Sequence, residues 1–258
     1  MAAARPVYIS VAQYHDALKS GAMTSREVVE AAHRLGADGA ELRRDYWRDA
    51  EREIPEARER ATALGVSLIY ATHATLFNAD AEGDARTHKD IADAGGLGAA
   101  QFRLFPGTVP ADDDEAGWRR GAATLAFALD QGVTLALENY SGTPGGTVAE
   151  IRRALDQYAD LRTNVDIGNY TRHGEDVPAA IRVVGDRAVS AHLKDQTANP
   201  ADAPVPLGDG AMPLGPILDA LDALPQSVIY CFEFGGGADP DAAITRSIAY
   251  LRTRVGGR

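Results

Sequence analysis

Residues 133–169 read VTLALENYSGTPGGTVAEIRRALDQYADLRTNVDIGN. Residues 133–139 form an apolar run that turns polar at Glu138 and Asn139, as a buried strand does where it ends. Residues 147–158 carry apolar side chains at helical spacing. Residues 162–169 return to a strand, which ends on Asp166 and Asn169. A strand, a helix and a strand in immediate succession predict a parallel sheet.

The same alternation extends in both directions. Strands are predicted over 7–11, 38–43, 66–72, 99–105, 188–195 and 227–234. Helices are predicted over 24–36, 51–64, 79–96, 112–132, 177–185, 213–224 and 239–255. Thr24 or Ser25 caps the first helix, Gly36 stops it, and Pro106-Gly107 stops the fourth strand. Eight units in 258 residues match a (β/α)8 TIM barrel, of class α/β, as a single domain over residues 1–258. The rival architecture, a doubly wound open sheet, places a glycine-rich turn after its first strand. Here that turn reads ISVAQYHDA, with no glycine.

Composition narrows the partners. The net charge of −11 repels phosphate backbones, so no nucleic-acid partner is expected. No stretch approaches 18 consecutive apolar residues, so no membrane span is expected. The N-terminal MAAARPVYIS carries no signal-like apolar run, and a cytoplasmic protein is expected. The single cysteine, Cys231, allows neither an intrachain disulfide nor a cysteine-based zinc site. The oligomeric state stays open, a homo-oligomer included.

Strands five to eight each end on a possible metal ligand: Glu138, Asp166, His192 and Glu233. They are separated by 28, 26 and 41 residues, against about 31 residues for one barrel unit. A carboxylate that ends a strand is ordinarily solvated, and a lone histidine is ordinarily a hydrogen-bonded wall residue. Four such residues at one point of four consecutive units are a different matter, because a barrel brings strand ends to one mouth. Buried carboxylates repel one another unless a positive charge lies between them. One divalent metal ion supplies it. Three carboxylates and an imidazole favour Mn²⁺ first, then Mg²⁺, Co²⁺ or Zn²⁺.

At LENY, VDIGN, HLKD with PLGDGAMPL, and CFEF, the chain resembles the xylose-isomerase-like TIM barrels. This sugar isomerase/epimerase superfamily includes ketose 3-epimerases, hydroxypyruvate isomerases and inosose dehydratases. The resemblance runs from GADGAELR to FEFGGG. It implies that Glu138, Asp166, His192 and Glu233 bind one metal, and that Glu138 and Glu233 flank the substrate and move protons. The chemistry is coherent on its own terms. A Lewis acid polarises a carbonyl, and a carboxylate beside it takes the neighbouring proton to give an enediolate. Returning the proton to the other face epimerises, returning it to the adjacent carbon isomerises, and losing a β-hydroxyl dehydrates.

Departures from the epimerase pattern are specific. Many ketose 3-epimerases carry a histidine where this chain has Asn169, and an arginine where it reads QTANP. The lysine of HLKD is closer to the dehydratase and isomerase branches. The related apurinic endonucleases need a three-metal cluster with more histidines than this chain offers.

Lys194 lies two residues after His192 and so shares its strand face, which makes it a candidate catalytic residue. Asp195 reads as a loop cap or an outer partner. Glu41, His73, Arg103 and Asn169 are candidate substrate-binding residues, with Gln13, Tyr14 and His15 weaker ones. Glu41 and Arg103 could equally form an ion pair. Trp47 and Phe77 could shield a substrate or pack. The expected function is a divalent-metal-dependent isomerase or epimerase of a small keto-sugar or polyol-derived ketone. The alternative is a lyase on the same site, ahead of a non-enzymatic sugar-binding barrel.

Overall fold

The computed structural model describes residues 5–199 and 201–256. Eight strands, β1 (Val7–Ser10), β2 (Gly39–Arg43), β3 (Ser67–Phe77), β4 (Gln101–Gly107), β5 (Thr134–Glu138), β6 (Arg162–Asp166), β7 (Ala188–Leu193) and β8 (Ile229–Phe232), follow one another in order. Each pairs in parallel with the next, and β8 pairs with β1 to close the barrel. Ten α-helices among the described residues surround it: α1 (His15–Ser20), α2 (Ser25–Leu35), α3 (Ala50–Leu64), α4 (Ala81–Leu97), α5 (Glu115–Asp130), α6 (Val148–Gln157), α7 (Ile167–Arg172), α8 (Val177–Val184), α9 (Leu214–Asp222) and α10 (Pro240–Gly256). No helix among the described residues is long and apolar enough to cross a membrane.

Local chemistry sets the element ends. Thr24 caps α2 by accepting from the Glu27 N–H, while the Glu27 side chain returns to the Thr24 backbone. That reciprocal pair satisfies two donors a helix start leaves open. Outward-facing Leu42, Tyr70, Phe102, Leu137, Val165 and Leu193 are fully buried beneath the helices. Each such side chain contributes about 1.5–3 kcal/mol by leaving water.

The barrel interior is layered. Tyr8, Ile69 and Cys231 pack together as an apolar cluster. A buried polar chain joins three strands, with Gln101 Nε2 donating to Ser190 Oγ at 2.6 Å and Ser190 Oγ to Asn164 Oδ1 at 2.7 Å. At the C-terminal strand ends a charged layer follows, which is where TIM barrels carry their chemistry.

Among the boundaries that differ from expectation, three bear on the site. β3 runs on to Phe77, with a register shift against β4 between Ala71 and Thr75. β4 extends through Pro106 to Gly107, because the residues beyond the shift resume pairing, Phe77 opposite Gly107. The strand expected over 162–169 stops at Asp166, whose carboxylate accepts from the Asn169 N–H and starts α7. An aspartate able to cap a helix ends the strand there.

Candidate metal centre

β5, β6 and β7 bring Glu138, Asp166 and His192 to one level, and Glu233 follows directly on β8. One ligand atom from each of the four lies within 4.8 Å of the others. His192 Nδ1 is 3.3 Å from Glu138 Oε2, 3.6 Å from Asp166 Oδ2 and 3.3 Å from Glu233 Oε2. Nδ1, Glu138 Oε2 and Asp166 Oδ2 are buried and make no well-formed hydrogen bond, the two oxygens being met by the cationic side chains Arg103 and Lys194. Divalent ions bind such atoms at about 2.0–2.2 Å, which sets ligand atoms roughly 3–4 Å apart. The donor set therefore fits a divalent ion, and these four side chains could hold one.

The surrounding residues aim the four. His192 Nε2 lies 2.7 Å from Glu41 Oε2. A carboxylate only accepts, so Nε2 carries a proton. Burial opposes charging the ring, but Glu41, Glu233 and Glu138 outweigh it and raise the imidazole pKa well above its ordinary value. A metal at Nδ1 would take the place of the second proton. Glu41 Oε1 accepts from Ser10 Oγ at 3.0 Å and from Arg43 Nε at 3.0 Å. Asn169 donates its side-chain amide to Glu138 Oε1 at 3.1 Å and its N–H to Asp166 Oδ1 at 2.8 Å. Arg103 Nε sits 2.9 Å from Glu138 Oε2, while its Nη1 donates to Thr72 O. Lys194 Nζ lies 2.7 Å from Asp166 Oδ2 and also binds Glu233 Oε2, while Arg43 Nη2 binds Glu233 Oε1.

These partners decide protonation. Burial works against ionising Glu138, but Arg103 and His192 hold its carboxyl below the usual carboxylate range. Burial likewise opposes ionisation of Glu233, and Lys194, His192 and Arg43 outweigh it, holding that carboxyl well below the range. Burial would strip the proton from Lys194, but Asp166 and Glu233 keep it on, with the pKa raised. Burial pushes the Cys231 thiol up to about 11. Cys231 also groups with Glu41 and His192, but a neutral thiol beside a carboxylate already engaged by Ser10, Arg43 and His192 is a poor cation site.

The candidate substrate-binding residues divide. Glu41, Arg103 and Asn169 are buried and contact the metal-ligand cluster itself. Glu41 and Arg103 do not pair with each other; each takes a different ligand, His192 and Glu138. His73 stands apart at the rim, its side chain 64% exposed and its Nδ1 2.8 Å from Asp45 Oδ2. Trp47 stacks on Tyr70, and Phe77 packs against Trp118 and Tyr158. Phe105 instead supplies an aromatic face beside the site, stacked on Tyr140 at 4.2 Å, with the Arg103 guanidinium 4.9 Å from its ring centre.

Gln13 donates to Phe232 O and Phe234 O and so secures the end of β8, while Tyr14 bonds Asp241. Asp195 holds the loop after β7, accepting from the N–H groups of Gln196, Gly208, Gly210 and Met212. Sequence reasoning passed over Arg43, which had a signal: it lies two residues after Glu41, on the same strand face. A cavity of about 620 Å³ opens beside Glu233, with Arg43, Lys194, Tyr46, His15 and Pro204 among its walls.

Comparison with known proteins agrees with this architecture. A family model described as xylose isomerase-like TIM barrel matches residues 29–254. No curated protein matches the sequence. Among solved structures, an L-ribulose 3-epimerase superposes with a TM-score of 0.74 at 19% identity, over 97% of this chain and 94% of that one. A probable 3-DHS dehydratase involved in petrobactin synthesis in Bacillus anthracis gives 0.76 at 12% identity, over 96% and 98%. A D-psicose 3-epimerase with D-tagatose, from Clostridium cellulolyticum H10, gives 0.70 at 16% identity, over 96% and 98%. At these identities the likeness establishes the fold.

Proposed function

The chain belongs to the xylose isomerase-like TIM barrel family, and on that footing we propose that it is a divalent-metal-dependent isomerase or epimerase. Its substrate in this reading is a small keto-sugar or polyol-derived ketone, and the reaction passes through an enediolate. The observation that carries the reading is the pair of glutamates, Glu138 and Glu233, each 3.3 Å from His192 Nδ1 on strands well separated around the barrel.

Glu138, Asp166, His192 Nδ1 and Glu233 would hold the ion, with Mn²⁺ favoured by three carboxylates and one imidazole. A bound divalent ion supplies Lewis-acid polarisation of a carbonyl. The protein supplies the proton transfers. Lys194 and Arg43 keep Glu233 ionised, the state a base needs, and Glu233 borders the open cavity. It accepts the proton from the carbon next to the carbonyl. Glu138, steadied by Arg103 and Asn169, serves the other side of the reacting carbon. Inversion needs Glu138 to have first gained a proton from solvent, which it gives to the opposite face while Glu233 releases its own to solvent. Return of the Glu233 proton to the neighbouring carbon isomerises.

A lyase is the second reading, and Lys194 favours it. Its charged Nζ lies among Asp166 and Glu233, and in this reading it would protonate a departing hydroxyl. The test is incubation of the Mn²⁺-loaded protein with a panel of ketoses in D₂O, followed by proton NMR. Exchange of the C–H next to the carbonyl with formation of an epimer or isomer supports the first reading. An unsaturated, ultraviolet-absorbing product supports the second. Absence of exchange and of product across the panel would count against both.

A further inference from the structure

Four buried or nearly buried carboxylates, Glu41, Glu138, Asp166 and Glu233, are matched by three cations, Arg43, Arg103 and Lys194, in two sets of ion pairs that meet at His192. His192 binds a metal as a neutral ligand. With a divalent ion bound and His192 neutral, these seven side chains and the ion would therefore carry one net positive charge. This occurs inside a chain whose net charge is −11, so it is a property of the site and not of the composition. Two neighbouring acids do not cancel it. Asp195 turns its carboxylate to four main-chain N–H groups of the loop, which stabilise its charge there, and Asp16 lies exposed at the outer lip of the cavity.

The surplus is not spread evenly. Arg103 is sealed in the wall behind Glu138. Arg43 and Lys194 face the cavity beside Glu233. Arg43 spends Nε and Nη2 on Glu41 and Glu233, and its Nη1 makes no hydrogen bond among the described residues. Lys194 has three N–H donors and two carboxylate partners. Each cation thus keeps a donor for a ligand in the cavity.

Building on the metal-dependent reading above, we infer that the substrate is a hydroxy-ketone bearing a carboxylate, which Arg43 Nη1 and Lys194 Nζ receive in the cavity beside Glu233. One negative charge brings the loaded site to neutrality. A phosphate monoester, at about −1.5 to −2 charge, would overshoot. Charge-assisted bonds of this kind are also the strong ones in a desolvated site.

The experiment compares three probes on the full-length, Mn²⁺-loaded protein by isothermal titration calorimetry: hydroxypyruvate, dihydroxyacetone and dihydroxyacetone phosphate. The first two share the hydroxy-ketone and differ in carboxylate against hydroxymethyl. Hydroxypyruvate is expected to bind at least about tenfold tighter than dihydroxyacetone, the scale of one charge-assisted contact. Arg43→Met should collapse that preference to about threefold or less, and Arg43→Lys should restore part of it. A carboxylate that merely chelated the metal would keep its preference in Arg43→Met, and that result overturns the inference. So does equal binding of the first two probes to the wild type, or tightest binding of the phosphate. Mn²⁺ titration alone, followed by electron paramagnetic resonance, separates the two levels. Bound Mn²⁺ without carboxylate preference removes only the inference, whereas no bound Mn²⁺ removes the metal-dependent reading beneath it.

Discussion

Glu41 holds His192 by the ring nitrogen that points away from the ligand cluster, Oε2 to Nε2 at 2.7 Å. The contact fixes tautomer and ring angle together, and Glu41 is in turn fixed by Ser10 and Arg43. A carboxylate behind a ligating histidine raises the basicity of the ring and orients it toward the metal. Glu41 is fully buried, which suits a positioning residue better than one that meets a sugar hydroxyl.

Replacement of that carboxylate tests the point. Glu41→Gln keeps the volume and removes the charge. Mn²⁺ affinity measured by calorimetry should fall by about 10- to 100-fold, the range for loss of such a partner. Affinity within a factor of two of wild type would mean that Glu41 does not support the ligand.

Gly168 lets the Lys194 stem pass. A Cβ built at Gly168 would lie 2.7 Å from Lys194 Cδ and meets no other side chain among its nearest contacts, so Gly168→Ala must push the lysine aside. Turnover should drop on the order of 10- to 100-fold, as expected for a reacting group misplaced by about 1 Å, with Mn²⁺ affinity retained. Steady-state kinetics beside a metal titration reads both.

Asp195 gathers four N–H groups of the loop that follows β7. Asp195→Ala leaves those donors without their charged acceptor and should cost about 2–3 kcal/mol in urea unfolding. Because this loop brings Pro204 to the cavity wall, KM should rise more than kcat falls. Limited proteolysis should show new cleavage within residues 196–213.

Asp241 gives a pH signature outside the candidate metal centre. Burial alone would raise its pKa, but the Tyr14 hydroxyl and Arg34 hold it below the ordinary carboxylate value. A carboxyl whose folded pKa is depressed stabilises the fold above its unfolded value of about 3.9, and loses that contribution as pH falls through the folded value. Wild type should therefore be more stable than Asp241→Asn at pH 7, by a modest margin because the pair is partly exposed. The difference should shrink toward zero as the pH drops below 3.9. Urea midpoints across that range check the sign.

The barrel and the convergence of Glu138, Asp166, His192 and Glu233 were legible in the sequence because both rest on periodicity: one unit about every 30 residues, with the residue at the same point of each. The supporting residues were less so. Glu41, Arg103 and Asn169 are recognisable as mouth residues, but whether such a side chain meets a ligand or a substrate depends on partners 151, 35 and 31 residues away in sequence. Asn169 was further obscured because Asp166 turns the expected strand into a helix. His73 lies within the register shift of β3, where alternation no longer tells which way a side chain faces. Arg43 is the counterexample. Its alternation with Glu41 held, and it could have been read.

The four-residue metal centre is tested most directly by diffraction from crystals grown with Mn²⁺, using its anomalous signal. One strong peak is expected, about 2.0–2.2 Å from Glu138, Asp166, Glu233 and Nδ1 of His192, with Nε2 still on Glu41. A peak bound through Nε2, a peak among Glu41 and Cys231, or no peak at this mouth would contradict the account.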